Sequence, residues 1–326
     1  MFILFSVIAI FILFYLFKKA EVNKGRERAN EKYAQRKIEK IENPHALRKL
    51  SILPLIDAES VSENLKTENG VSYLIQADDE QILLDLGFNK NKENPSPLLH
   101  NMSELGKSFD EIDYLVFSHL HLDHVGGMSE QKAGEFSISQ AKFDTPSIPV
   151  YAPEKLAPSA YNPQLDNITV SQDPTKITAG AYTIGTIPRF LFLMGYIEEQ
   201  AIALRLEGKG IVLVIGCGHQ TIQRVIERTK ELFDDPIYAI IGGLHLPING
   251  TTFFSKIQYL VGSDYAPPNG LSEKDVFDAI ESIKAENVEV VGISPHDSSA
   301  WSIEQFREAF GDNYVDVKVG KEIVIA

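Results

Sequence analysis

The sequence predicts an α/β sandwich, sheets inside and helices outside, behind an N-terminal membrane helix. Three observations carry that reading. Short β-branched runs recur from residue 71 onward, strand and helix alternate in the second half, and residues 1–17 contain no charged side chain. The chain has 326 residues, 44% apolar and 23% charged, so it can bury a sizeable core and is neither disordered nor collagen-like.

The first element is MFILFSVIAIFILFYLF (1–17), whose helix would be about 25 Å long against a hydrocarbon core of ~30 Å, a short membrane span. No Lys or Arg precedes it and Lys18-Lys19 follow at once, as expected of an uncleaved anchor rather than a cleavable leader. Residues 18–40 hold nine bases against four acids, so the positive-inside rule puts the catalytic body of a single-pass membrane protein in the cytoplasm. The same stretch is made of good helix formers with little apolar periodicity. Residues 18–45 therefore read as a charged, solvated helical spacer, with attraction to anionic headgroups as a second use of its charge. Asn43-Pro44 breaks the helix, and the catalytic domain is expected over 46–326.

Within that domain the strand signals are 71–76, 81–87, 113–119, 148–152, 201–206, 211–216, 237–243, 288–294 and 322–326. Several later ones are apolar on both faces. Three helices lie between them: 221–233 with Ile222, Val225, Ile226 and Leu232 on one stripe, 273–285 opened by Ser272 with Asp275 three residues on, and 302–310 closed by Gly311. Beyond residue 40 there is no Lys/Arg cluster, and residues outside 18–40 carry 22 bases against 41 acids, a charge of −19. A body that acidic excludes nucleic acid as a partner. The single cysteine, Cys217, excludes an intrachain disulfide and a four-thiolate zinc site.

The chemistry-bearing signal stands at the end of the 113–119 strand: Ser118-His119-Leu120-His121-Leu122-Asp123-His124, then Val125-Gly126-Gly127. Three of the eight histidines fall within six residues. A tight turn there can aim His119 and His121 at one ion while Asp123 and His124 face a second, and two ions about 3.5–4 Å apart activate a water at neutral pH. His219 and His296 each follow an apolar strand within a few residues, where loops build active sites, and are candidate ligands. His245 also follows a strand and glycines. A sixth histidine exceeds what two ions need, so it reads as a ligand, a hydrogen-bonding support for one, or plain structure. His45 and His100 lie outside every motif.

HLHLDH resembles the His-x-His-x-Asp-His signature of the metallo-β-lactamase fold superfamily, over roughly residues 50–326. Details resemble its dihydropterin (ribofuranosylaminobenzene phosphate) synthase-like subgroup: Gly70-Val71-Ser72, Leu84-Asp85-Leu86-Gly87, Gly216-Cys217-Gly218-His219, Gly242-Gly243-Leu244-His245-Leu246, and His296 in Ser-Pro-His. The resemblance implies a four-layer αββα sandwich with a dinuclear metal site at one sheet edge. It implies metal ligands at His119, His121, Asp123, His124, His219 and His296, with Asp123 also catalytic and Asp85 supporting the metal loop unless it is a simple turn residue. Cys217 stands where most of the superfamily has a bridging aspartate, either as a thiolate ligand or as a small buried residue behind the site.

The expected cofactor is a pair of divalent ions, zinc by default with iron and manganese as alternatives. The expected activity is metal-dependent hydrolysis of an ester, lactone, amide or phosphodiester by a metal-activated water. The alternative is a non-hydrolytic pterin-type condensing enzyme or a metal-retaining binding protein. The run 189–197 and the loop 250–271 read as an apolar flap over an amphiphilic small-molecule substrate or as further core; oligomeric state is not legible.

Overall fold

The computed structural model describes residues 2–251, 256, 258–259, 262–265 and 270–326, with side chains from residue 10 onward except 11. Among these residues the strands form two main sheets. The first runs, in spatial order, Ile323–Val324, Leu50–Ile56, Ser72–Ala77, Glu80–Leu84, Tyr114–Val116, Val150–Ala152 and Ile168–Val170. The second runs Val290–Ile293, Ile237–Gly242, Gly210–Ile215, Ile202–Leu206, Ala181–Thr183 and Thr175–Thr178. Each sheet joins antiparallel strands to parallel ones: Glu80–Leu84 pairs in parallel with Tyr114–Val116, and Gly210–Ile215 with Ile237–Gly242.

The alternation of side chains along a strand explains the layering. In the register Ile202↔Val214 and Leu204↔Val212, these four residues face the other sheet, where they meet Ile52, Tyr73, Ile75 and Leu84. Their neighbours Ala203, Ile211, Leu213 and Ile215 face outward onto the helices Ile222–Leu232, Glu273–Ala285 and Ala300–Phe310. The outer face of the first sheet is covered in the same way, with Leu55, Leu83 and Phe117 against Leu98 and Met102 of the helix Pro97–Glu104. Three apolar interfaces thus separate four layers, helix–sheet–sheet–helix. A strand such as Gly210–Ile215, buried at every position, reads as uniformly apolar because both its faces are covered.

The helix signals hold in position. Ser272 and Asp275 form a capping box, and Gly311, at φ 53°, closes Ala300–Phe310. The strand Leu50–Ile56 and the hairpin Ile187–Leu191/Gly195–Glu199 went unrecognised. The run 189–197 is that hairpin, with Leu191 and Ile197 buried and Leu193, Met194 and Tyr196 exposed at or beside its turn.

The N-terminal segment departs from expectation. One helix, Phe2–Gln35, covers both the apolar run and the basic stretch, and ends eight residues before Asn43-Pro44. Among the described residues no helix is long and apolar enough to cross a membrane. That finding overturns the transmembrane anchor at 1–17 and with it the single-pass placement and the cytoplasmic orientation. Part of the anchor, residue 1 and the side chains of 2–9 and 11, lies outside the described residues, and Ile10, Leu13 and Phe17 are exposed.

Nor is 18–45 a solvated spacer, because its part from Val22 to Arg36 packs on the 187–199 hairpin. Val22, Gly25 and Ala29 recur on one helical face and are buried, and a Cβ at Gly25 would stand 2.2 Å from the Phe190 ring, so only glycine allows this approach. The flanking charges then find partners. Lys32 and Arg36 pair with the fully buried Glu198, the latter at 3.1 Å, and the Tyr33 hydroxyl donates to Glu227 at 2.9 Å. Burial pushes the Glu198 carboxyl up, but hydrogen bonds from Lys32, Thr186 and Tyr196 and the Arg36 charge outweigh it and hold it below its usual range.

Removing that carboxylate leaves Arg36 uncompensated against the body. Glu198→Ala is expected to lower unfolding stability by about 2 kcal/mol and to open tryptic sites between residues 24 and 37. Urea denaturation and limited proteolysis read both; an unchanged midpoint and cleavage pattern would show that the helix docks without this pair.

Candidate metal centre

The strand Tyr114–Val116 delivers Ser118 and the histidine segment to the edge where the two sheets meet. The segment turns back on itself, with the amides of His124 and Val125 donating to the His121 carbonyl at 3.0 and 3.2 Å. Asp85, just after the strand Glu80–Leu84, is fully buried and locks the turn from beneath. Its carboxylate accepts the Ser118 amide at 2.8 Å and hydroxyl at 2.6 Å, and its Oδ2 lies 2.7 Å from His124 Nδ1. Ser118 Oγ in turn lies 3.0 Å from His119 Nδ1. Both imidazoles are thus held by Nδ1.

Two donor triads result. The ligand atoms of His119, His121 and His219 lie within 4.8 Å of one another, as do those of Asp123, His124 and His296. Cys217 Sγ groups within the same limit with His119 and His124, with His219 and His245, and with His296 and Asp297. The thiol therefore stands between the triads. Ring centroids 4.0 Å apart for His119 and His124, and 5.1 Å for His121 and His219, make this one continuous imidazole cluster.

The residues fit a pair of cations. Among the described residues, His124 Nε2 is buried with no hydrogen-bond partner, a costly orphan for an interior nitrogen. Burial, then the neighbouring rings, push His119, His219 and His296 well below their ordinary range and His121 down to about 3, so these four stay neutral, as ligation requires. His124 differs: burial lowers it, but Asp85 and Asp123 outweigh burial and lift it to about 9. A carboxylate field with neutral nitrogens aimed inward suits divalent metal.

The family described as "Anti-Pycsar protein Apyc1" matches residues 59–179. A relative from Methanocaldococcus jannaschii, 7,8-dihydropterin-6-methyl-4-(beta-D-ribofuranosyl)-aminobenzene-5'-phosphate synthase, is 26% identical over 221 residues, 55% of this chain and 71% of that one. Among solved structures, Tm1679, a metal-dependent hydrolase of the β-lactamase superfamily, superposes with TM-score 0.56 at 18% identity, over 84% of this chain and 98% of its own. YhfI from Bacillus subtilis, a metallo-β-lactamase fold protein, does so with TM-score 0.52 at 12% identity, over 85% and 99%. The chain has the metallo-β-lactamase fold. In sequence it is similar to the dihydropterin synthase from Methanocaldococcus jannaschii.

On this metallo-β-lactamase fold the sequence-predicted residues converge, and the structure adds three buried acids that sequence reasoning missed. Glu199 accepts the amides of Cys217 at 3.1 Å, Gly218 at 2.7 Å and Gln220 at 3.2 Å, fixing the turn that carries Cys217 and His219. Burial pushes its carboxyl up to about 7 despite those amides and the His124 charge. Asp297 accepts the His245 amide at 2.9 Å and shares a donor group with Cys217 and His296. Asp57 accepts from Ser294 Oγ at 2.6 Å, and that oxygen lies 2.6 Å from His296 Nδ1. Asp297 was findable as the neighbour of a candidate ligand, and Asp57 as an acid closing an apolar strand. Glu199 carried no signal.

His245 lies toward the outside of the cluster. Its Nδ1 is 3.8 Å from Cys217 Sγ and its Nε2 3.3 Å from the Gln258 carbonyl. A Cβ on Gly262 would sit 1.7 Å from that Nε2, while the Gly262 carbonyl lies 3.2 Å from His219 Nδ1, so the backbone at 262 holds both rings. His45 is exposed, and His100 Nε2 meets the Asn64 carbonyl at 2.9 Å, far from the cluster in its contacts. Of the 250–271 loop, residues 252–255, 257, 260–261 and 266–269 lie outside the described residues.

Asp85→Asn keeps the size of the side chain but removes the charge that orients His124. It is expected to weaken metal retention by about 10–100-fold, read as metal content after dialysis against graded chelator, with the melting transition retained.

Proposed function

We propose that this protein is a dinuclear metallohydrolase. The observation that carries the reading is the pair of donor triads with Cys217 between them, reached from outside through His219 and His245 at the inner end of a cavity of about 780 Å³. His119, His121 and His219 would hold one ion and Asp123, His124 and His296 the other, with Cys217 as the donor shared by both. The mix of imidazole, carboxylate and one thiolate suits zinc, iron or manganese. Two divalent ions bound there would supply Lewis acidity and a water acidic enough to attack at neutral pH.

The chain's own part is positioning. Asp123, with an oxygen 3.8 Å from His124 Nε2 and a side chain still partly accessible, orients the attacking water and accepts its proton at a carboxylate oxygen. Asp85, Ser118, Asp57 and Ser294 hold the ligand rings through their Nδ1 atoms. The cavity wall carries arginines rather than an apolar sleeve, which favours a charged ester or phosphodiester over an amphiphilic substrate.

The Methanocaldococcus relative supports a second reading, a pterin-type condensing enzyme, because that relative is a synthase and aligns over 55% of this chain. Metal-loaded protein assayed against ester, lactone and phosphodiester panels separates the two. About two transition-metal equivalents per chain are expected by elemental analysis, and less than half an equivalent would remove the basis of the proposal. His119→Ala and Asp123→Ala should lower hydrolysis by at least about 10²-fold. Cys217→Ser should bring the metal content down to about one equivalent, as loss of a shared donor would; unchanged content would make Cys217 a packing residue.

A further inference from the structure

The cavity continues past His219 and His245 between four walls: the N-terminal helix, the 187–199 hairpin, the start of Ile222–Leu232, and Glu273–Ala285. Three guanidiniums line it, Arg26 from the N-terminal helix, Arg189 from the hairpin and Arg224 from Ile222–Leu232. One carboxylate, Asp264, serves two of them, 2.6 Å from Arg189 Nη2 and 3.5 Å from Arg26 Nε. Arg224 has no ion-pair partner among the described residues. Its Nη2 donates to Asn30 Oδ1 at 2.6 Å, its Nη1 to the Pro188 carbonyl at 3.4 Å, and the guanidinium lies 4.8 Å from the Tyr33 ring centroid.

The acids that also line the cavity, on Glu273–Ala285, are engaged locally. Asp275 accepts the Ser272 amide and hydroxyl at 2.8 and 2.7 Å, Asp278 pairs with Lys274, and Glu281 lies 3.7 Å from Lys284. Asp264 is therefore the one lining carboxylate that ion-pairs with the arginines, and Arg224 is left without an acidic partner among the described residues beside the candidate metal centre. Burial and the adjacent Arg189 charge both act against the Arg224 cation, lowering its pKa. Guanidiniums offer paired donors that match the oxygens of phosphate and carboxylate.

We propose that Arg26, Arg189 and Arg224 form an oxyanion subsite that holds a phosphate or carboxylate group of the substrate, with the N-terminal helix as a working wall of the site. That the scissile bond lies toward His219 rests on the metallohydrolase reading; the anion subsite does not. The helix earns no place in a bare fold description, yet it supplies Arg26 directly and orients Arg224 through Asn30.

The test is calorimetric titration of the full-length protein as purified, with inorganic phosphate and separately with malonate, in low salt. Any contribution from bound metal is common to wild type and variants, so the difference isolates the guanidiniums. Arg224→Gln and Arg26→Gln should each raise the dissociation constant of the bound anion about tenfold, while Lys40→Gln, outside the cavity, should not change it. Dependence on the arginines for phosphate alone assigns a phosphoryl group, and the same dependence for malonate assigns a carboxylate. Absence of binding of either anion to wild type, or a change below twofold in both variants, overturns the proposal. Arg26 is partly exposed, so Arg26→Gln is informative even if Arg224→Gln fails to fold. Ester hydrolysis separates the two claims: arginine-dependent anion binding without hydrolysis of any panel substrate leaves the subsite standing and the hydrolase reading lost.

Discussion

The burial of five imidazoles, with the half-buried His121 beside them, together with Asp57, Asp85, Glu199 and Asp297 at the meeting edge of two sheets is the constraint on which this structure depends. Interior charge is costly unless every lone pair is met. The fold meets them from its backbone and hydroxyls. Glu199 takes three amides of one turn, Asp85 takes an amide and a hydroxyl, and Asp297 takes the His245 amide. Each carboxylate thereby fixes the loop that bears a donor, so the same contacts that make the acids tolerable also set the geometry of the centre.

This explains which parts of the molecule were legible in the sequence. Strands apolar on both faces and the capped helices around residues 222–232 and 273–285 announce themselves, because burial and periodicity are local patterns. So does HLHLDH, since four donors of the centre lie within six consecutive residues. Glu199 did not, because its partners are amides 18 to 21 residues away and an amide leaves no mark in the sequence. The place of Cys217 was open for a related reason. Composition cannot distinguish a small buried residue from one whose sulfur stands between two triads, and only the approach of four separate loops decides it.

The N-terminal segment shows how a correct observation reached the wrong conclusion. The +5 charge of residues 18–40 was read against a lipid surface, whereas the acidic body of −19 offered a nearer counter-charge. Arg26, Lys32, Arg36 and Lys40 meet Asp264, Glu198 and Asp234. What allows the approach is the small-residue face of Val22, Gly25 and Ala29, too sparse to register as apolar periodicity but sufficient to bring a helix against a hairpin.

These two features are connected through one short element. The hairpin that receives the helix runs from Ile187 to Glu199: Glu198 faces the helix, and the next residue, Glu199, holds the Cys217 turn. Adjacent residues on a strand point to opposite sides, so one β-strand carries the anchoring carboxylate on one face and the site-organising carboxylate on the other. A shift of that strand by a single residue would exchange the two, leaving the helix without its counter-charge and the amides of 217, 218 and 220 without an acceptor. Register in this hairpin is therefore fixed from both sides. The docking of an apparently peripheral helix bears on the geometry of the donor cluster through the strand they share.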